Sequence, residues 1–501
     1  MSPLVETDGR AVRRPHAVAA DVVIVGSGPG GATVARALSQ AGLGVLVLEE
    51  GFEVTPDEFE ASGVRAMARL YRDMGTSIAF GKAPMPYLQG RAVGGTSVVN
   101  GAICWRFSRE VLEEWYAADG ALREALDFGA IERAEDEIEA RLQIRPTESA
   151  IAGEKNRLLG VGAEALGVAH RPIRRNVVGC EGLGRCLQGC PRGHKLSMDR
   201  TFLPDAVERG ARILAGVTAR RVRVERGRAV AVLARSAGGA TVEARARHAV
   251  VLAASAIQTP CLLMRSGLRS GPVGRELSGH PGVSVTGRFD GPVRNYRGAT
   301  QGHEVTGWRG EGLKLEALGF DLSILASRLP GAGAELGARI AEIDRYAVWG
   351  AALRARARGT VRPGFGRPSV RFSLTPEDVV LARRGVRVLA DTMLAAGATE
   401  VHLEIAGFDP VIRDARGAAA IEERAPLDPR AYPMSMTHLF GTARMGSDPA
   451  TSVVRPDFRH HQVEGLYLAD SSVFPSNLGV NPQVPIMALA RLCADRIVAA
   501  R

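Results

Sequence analysis

A short apolar run that breaks into closely spaced glycines constrains the fold of this chain more than any other feature. Asp21-Val-Val-Ile-Val25 has the composition of a strand buried on both faces, and Gly26-Ser27-Gly28-Pro29-Gly30-Gly31 follows it directly. In such a segment Gly26 permits a tight turn, Gly28 lets the backbone approach a pyrophosphate, and Gly31 permits close packing of helix on strand. A helix is expected from about Gly30 to Gln40, with its N-terminal amides aimed at phosphate and Gly42 as its stop. A second strand, Val45-Leu-Val-Leu48, then delivers Glu49 to a position where a carboxylate accepts hydrogen bonds from a ribose diol. The neighbouring Glu50 is expected only to be solvated. Because strand, turn, helix, second strand and acid occur in that order, the segment reads as a dinucleotide cradle rather than an isolated Gly-rich turn.

The remaining composition narrows the class. A chain of 501 residues with 46% hydrophobic content can bury a large core and divide into two or more domains. It has no stretch of about 20 apolar residues, so no transmembrane segment is expected. Arg13-Arg14 precedes the apolar residues of the first strand rather than a separate cleavable segment, and a cytoplasmic location is the default expectation. The net charge of +10 comes almost wholly from arginine, since Lys82, Lys155, Lys195 and Lys314 are the only lysines, which reads as genomic codon bias. No basic run with interleaved aromatics suggests a nucleic-acid partner. Arg220-Arg-Val-Arg-Val-Glu-Arg226 instead alternates as an exposed strand does.

Further along, His248-Ala-Val-Val-Leu-Ala253 is another buried-strand run. Small residues at 254–256 and a helical pattern follow it, repeating the strand-turn-helix logic of the first motif. Ile213 to Val230 reads as a hairpin or meander turning at Arg226-Gly227. From about Phe289 to Pro433 the pattern changes to Gly-rich turns, a Ser369-Val-Arg-Phe-Ser373 alternation expected of a one-sided sheet, and a long helix around Pro376 to Ala396.

The residues with most chemical content lie near the end, in Thr437-His438-Leu-Phe-Gly441-Thr442-Ala-Arg444-Met-Gly446, Tyr467-Leu-Ala-Asp470 and Gly479-Val-Asn481-Pro482-Gln-Val-Pro485. On residue type alone His438 is a core histidine or a base, Asn481 a turn residue before proline or a donor, and Asp470 a turn former or a ligand. Gly94-Gly95-Thr96-Ser97-Val-Val-Asn100-Gly101 and Ser255-Ala-Ile-Gln-Thr-Pro260 complete a set of ordered motifs, and with them the chain resembles the glucose–methanol–choline (GMC) oxidoreductases over nearly its full length. The stretches 199–206 and 371–376 look most like the branch containing long-chain alcohol oxidases.

That resemblance implies an α/β chain with a Rossmann-like FAD-binding domain interleaved with an α+β substrate domain built on an antiparallel sheet. The expected limits are 17–288 for the FAD-binding domain, with insertions around 110–195, then 289–433 for the substrate domain and 434–501 for a return to the first. It implies an FAD-dependent oxidoreductase acting on the CH–OH group of a small or apolar alcohol, with dioxygen or another acceptor taking the electrons. His438 is expected to take the hydroxyl proton as a base titrating near neutrality, Asn481 to hydrogen-bond the forming alkoxide oxygen, and flavin N5 to receive the hydride. Gly94 and Gly95 would let backbone amides approach the flavin with Asn100 nearby. Asp470 would bond the ribityl or pyrophosphate part, and Pro482 would stand beside the cofactor. Pro485 would open a final helix burying Ile486, Leu489, Cys493 and Ile497 on one side. Val98 and Val99 stand where some relatives attach the flavin through a histidine, so FAD is expected to be non-covalent. His280, in a family-like Ser278-Gly-His-Pro turn, is expected to be structural.

Six cysteines in 501 residues make no disulfide scaffold, but Cys180, Cys186 and Cys190 are clustered and followed by Pro191. Some relatives hold an iron–sulfur cluster on three similarly spaced cysteines, so a cluster, with His194 either a fourth ligand or a surface substitution, stands as an alternative to a zinc site or to reduced structural thiols. Two other functions stay open beside the alcohol oxidoreductase. One is a flavin and iron–sulfur electron-transfer dehydrogenase acting on a sugar or polyol. The other is an FAD-binding protein with a non-oxidative activity.

Overall fold

The computed structural model describes residues 4–501. Two eight-stranded sheets organise it. In the first, the strands run in the order Thr7–Asp8, Arg212–Ala215, Val45–Leu48, His16–Val25, Thr241–Leu252, Arg228–Ser236 and Val217–Glu225, with Leu466–Leu468 also paired to Thr241–Leu252. Its centre is parallel, because helices cross over between the strands. Val217–Glu225 and Arg228–Ser236 form an antiparallel extension. Strand His16–Val25 changes character along its length: it alternates inward and outward up to Ala20, then buries Val22, Val23 and Ile24 completely between layers. The turn at Arg226 and Gly227, both with positive φ, falls where the sequence places it, but the meander extends through Leu252.

The second sheet is antiparallel throughout. Its order is Val411–Ile412, Glu400–Leu403, Ser278–Arg288, Tyr346–Leu353, Leu313–Leu318, His303–Val305 and His170–Pro172, and Ser435–Phe440 pairs with Ser278–Arg288. This sheet thus reaches beyond residues 289–433 in both directions and takes an edge strand from the 110–195 region. Helix Pro376–Ala395 covers it, held at its start by a reciprocal Thr375–Asp378 capping box. Each sheet has its own hydrophobic core.

Three local expectations are corrected. Ser369–Arg371 pairs with Thr360–Arg362 in a separate two-stranded ribbon, with one parallel bridge from Arg371 to Phe80, not in a one-sided sheet. The final helix, Gln483–Ala499, buries Met487, Ala488, Ala490 and Leu492 as well as Leu489, Cys493 and Ile497, while Ile486 is only partly covered. It is wedged between helix Pro29–Gln40 and helix Phe128–Arg141, so nearly all of its circumference is interior. Glu50 is not merely solvated: it pairs with Arg72 at 2.7 Å and Arg91 at 2.9 Å.

Candidate active site

The glycine turn is shaped by what its backbone must touch. Gly26 sits at φ +100°, and a Cβ there would overlap the Ala253 carbonyl; one on Gly30 would overlap the Ala469 carbonyl, and one on Gly31 the Gly26 carbonyl. Gly28 differs from these three. A Cβ on it would meet only the Gly95 Cα, at 3.9 Å, so the space before it is open. Helix Pro29–Gln40 starts there with no side-chain cap, leaving its first amides free for an anion.

Glu49 is buried and ties the cradle together. One carboxylate oxygen accepts from the Ser27 amide at 3.0 Å and the Ser27 hydroxyl at 2.6 Å, and the other from the Gly51 amide at 2.7 Å. Burial pushes its pKa up against these hydrogen bonds. Ser27 Oγ also accepts from the Gly94 amide at 3.0 Å, which brings the 94–101 loop over the turn. Gly94 and Gly95 both take positive φ, and a Cβ on Gly95 would lie 2.7 Å from Gly28 Cα.

The two ends of the chain meet on this cradle. Ala469 packs against Gly30, and Asp470 accepts from the Ser255 amide at 2.9 Å, the Thr259 hydroxyl at 2.6 Å and the Ser472 amide at 2.7 Å. Asn100 donates through Nδ2 to Gln483 Oε1 in the first turn of the final helix, whose N-cap is Pro482. Gln483 Nε2 is left buried with no hydrogen-bond partner among the described residues, as are Gln89 Oε1 and Ser472 Oγ. Open space at Gly28, an uncapped helix start and orphaned polar atoms along the rim fit a bound dinucleotide.

The second sheet supplies the other wall. His438 lies on strand Ser435–Phe440, paired with strand Ser278–Arg288, which carries His280. The two imidazoles meet Nδ1 to Nδ1 at 3.1 Å, nearly edge to face, and the Gly479 amide donates to His280 Nε2 at 2.9 Å. That amide fixes a tautomer. With Nε2 accepting, neutral His280 carries its proton on Nδ1 and donates it to His438 Nδ1, so the resting His438 proton lies on Nε2. His438 keeps part of its surface open, yet it sits deep enough that desolvation, with the nearby Lys314 charge, pushes its pKa down to about 3. The expected base titrating near neutrality is therefore corrected: in this setting the imidazole is neutral throughout the physiological range.

Asn481 is oriented by a residue that the sequence reading passed over. Lys314, 1% exposed on strand Leu313–Leu318, donates from Nζ to Asn481 Oδ1 and pairs with Glu304 at 3.1 Å and with Glu316. Burial pulls the Lys314 pKa down, but the two carboxylates outweigh it and raise it, so the ammonium is charged. Glu304 accepts in addition from Trp105 Nε1 and Arg171 Nε, each at 2.8 Å. With Oδ1 taken by an ammonium, the Asn481 amide has its Nδ2 donor directed elsewhere.

Cys180, Cys186 and Cys190 line one small cavity with His194, but among the described residues no group of three or more His, Cys, Asp or Glu side chains is placed to hold a metal ion. Nor among them is any helix long and apolar enough to cross a membrane.

Sequence reasoning thus missed Lys314, Glu304, Glu316 and the partnership of His280 with His438. One signal was available, the scarcity of lysine in an arginine-rich chain, and of the four lysines the structure buries Lys155, Lys195 and Lys314. A rare residue type kept at interior positions is better explained by a local chemical need than by codon usage.

Comparison with known proteins places this geometry. Two family profiles described as GMC oxidoreductase match residues 67–282 and 355–490. An uncharacterized GMC-type oxidoreductase of Mycobacterium tuberculosis is 38% identical over 97% of this chain and 77% of its own length. A long-chain-alcohol oxidase of Arabidopsis thaliana, FAO4B, is 30% identical over 98% of this chain and 68% of its own. Among solved structures, pyridoxine 4-oxidase from Mesorbium loti superposes with a TM-score of 0.70 over 95% of this chain and 98% of its own, at 19% identity, a likeness of fold. Family profiles covering most of the chain and a relative 38% identical over 97% of it converge with a glycine cradle that fits a dinucleotide: the chain belongs to the GMC oxidoreductases, and is an FAD-dependent enzyme acting on CH–OH donors.

Proposed function

We propose that the chain oxidises the CH–OH group of a small or apolar alcohol to a carbonyl, with His438 and Asn481 acting on the hydroxyl oxygen. The observation that carries this reading is the fixed orientation of Asn481 by Lys314 beside the His280–His438 pair. An alcohol losing a carbon-bound hydride must also lose its hydroxyl proton, so the oxygen needs a proton acceptor and a donor that steadies the growing negative charge. Asn481 Nδ2 serves as that donor. His438 serves as the acceptor, and the resting tautomer sets a condition on it: His280 must let go of the Gly479 amide and take its own proton on Nε2, freeing His438 to hold a proton on Nδ1 and to accept at Nε2. His280 is therefore a positioning residue for the base.

Bound FAD supplies the hydride acceptor at N5. Gly26, Gly28, Gly30 and Gly31 would hold it at the cradle, with Glu49, Asp470, Gly94, Gly95, Asn100 and Pro482 around it. Val98 and Val99 are buried and offer no imidazole for attachment, so the cofactor is expected to dissociate. The uncapped start of the 17-residue final helix would favour negative charge on the reduced ring. The Arabidopsis relatives named long-chain-alcohol oxidases favour a long-chain alcohol as substrate and dioxygen as acceptor.

The test is an absorption spectrum of the purified protein followed by anaerobic titration with long-chain, short primary, secondary and sugar alcohols. Bleaching of the flavin bands by apolar alcohols, reversed by air with release of peroxide, is the expected result. A flavin that no alcohol bleaches overturns the reading.

A further inference from the structure

The 180–195 loop carries a cluster that the proposed reaction leaves unused. Arg175 and Lys195 are buried, 0% and 2% exposed, and among the described residues their hydrogen-bond partners are carbonyls and a sulfur, not carboxylates. Lys195 Nζ donates to the carbonyls of Val98 at 2.6 Å, Cys186 at 2.8 Å and Asn100 at 3.0 Å. Arg175 Nη2 donates to the Cys186 sulfur at 3.0 Å, and Arg175 Nη1 is buried with no hydrogen-bond partner among the described residues. Two interior cations without an acid are costly unless an anion lies between them, and the group in place to be that anion is the Cys186 sulfur. Burial alone would raise its pKa, yet Arg175 and Lys195 outweigh burial and lower it.

Cys186 shares a cavity with Cys180, Cys190, His194 and the orphaned Arg175, and the cavity holds about 20 Å³. That volume is close to the ~10–15 Å³ that one water needs, so the cavity suits only a molecule little larger than water and excludes glutathione and larger disulfides.

We propose that Cys186 is a thiolate that reacts with hydrogen peroxide, and that one of the two cysteines sharing its cavity then resolves it to a disulfide. In the first step the sulfur attacks one peroxide oxygen; the S–O bond forms, the O–O bond breaks and hydroxide leaves. The sulfur is oxidised by two electrons and the peroxide is reduced. In the second, the neighbouring thiol attacks the sulfenic sulfur; the S–S bond forms, the S–O bond breaks, and the hydroxyl leaves with the thiol proton as water. Either product removes the negative charge between Arg175 and Lys195. Those cations also hold Gly101, Val98 and Asn100 by their carbonyls, the latter part of the loop that covers the glycine turn, so oxidation loosens the cofactor cradle.

The holoenzyme, held anaerobic and without alcohol, is given a few equivalents of hydrogen peroxide with dimedone present and is digested for mass spectrometry. Cys186 should be modified first, as adduct or disulfide, at a rate at least ~10-fold above the buried thiols of Cys104, Cys261 and Cys493, whose pKa burial pushes up. The variant C180S/C190S changes only partly exposed side chains and should shift the product from disulfide to dimedone adduct at Cys186. Release of FAD fluorescence should follow Cys186 oxidation in time. Oxidation confined to Cys180 and Cys190, or rates at Cys186 equal to those of the other buried thiols, overturns the proposal.

Discussion

The parallel and antiparallel sheets build their halves of the site from different material. The parallel sheet presents backbone: glycines that must be glycine because a carbonyl stands against them, an uncapped helix start, and a carboxylate spent on bracing amides. The antiparallel sheet presents side chains whose directions are set by other side chains, as Lys314 sets Asn481 and His280 sets His438. The first half binds by shape and by the peptide dipole, and tolerates little change of volume. The second half acts through charge and proton position, and tolerates little change of chemistry.

The largest effect expected from breaking this contrast lies in the glycines. Gly30→Ala puts a methyl group into the Ala469 carbonyl, with backbone on both sides and no side chain to yield, and should leave no folded holoenzyme. Gly28→Ala meets nothing closer than 3.9 Å and should fold as well as the parent. It should nonetheless weaken FAD binding by about 10-fold or more, roughly 1.4 kcal/mol, because the methyl group occupies the open space of the cradle. Thermal melts of the apoprotein and a flavin titration measure both. Equal behaviour of the two variants would mean that the cradle is only a packing motif.

On the antiparallel side His438→Ala should slow anaerobic flavin reduction by roughly 10²–10⁴-fold with FAD still bound, the range for removal of a positioned acid–base group. Loss of FAD instead would make His438 a structural residue. His280→Ala should reproduce part of the kinetic loss without touching the cofactor.

Lys314→Met should cost about 3–5 kcal/mol of stability, because Glu304, which keeps Arg171, and Glu316, which keeps Gln301, lose the ammonium they share and are left as neighbouring buried carboxylates. Adding Glu316→Gln should return part of that stability by removing one charge. It should not return the rate of flavin reduction, since Asn481 stays free to turn its amide. Recovery of both together would show that Lys314 only balances charge.

These contrasts explain what was legible in the sequence. The strand at 21–25, the four glycines and Glu49 lie within thirty residues of one another and follow local rules, so their order alone implied the cradle. Helix Pro376–Ala395 was legible for the same reason, with proline and a capping pair at its start. His280, Glu304, Lys314, Glu316, His438 and Asn481 converge from strands and loops spread over two hundred residues, and no periodicity joins them. A buried ion pair leaves no sequence pattern. His438 and Asn481 were found only through family resemblance, and Lys314 showed itself only as a scarce lysine.

The smallest expected effect concerns protons. The folded pKa of His438, about 3, is depressed below its ordinary value of 6.5, so the unfolded chain binds the additional proton between those limits. The preference of the fold for neutral imidazole is complete above pH 6.5, and the stability it represents is lost as pH falls from there toward 3. In His438→Gln that slope disappears. Between pH 7 and pH 5.5 the parent should therefore lose about 1 kcal/mol more than the variant in urea unfolding, one proton costing at most ~1.36 kcal/mol per pH unit. Other depressed histidines, such as His303 and His402, contribute equally to both proteins and cancel in the difference. Parallel stability curves would mean that His438 titrates normally in the fold, and the antiparallel wall would then lack the desolvation that keeps its imidazole free to take a proton.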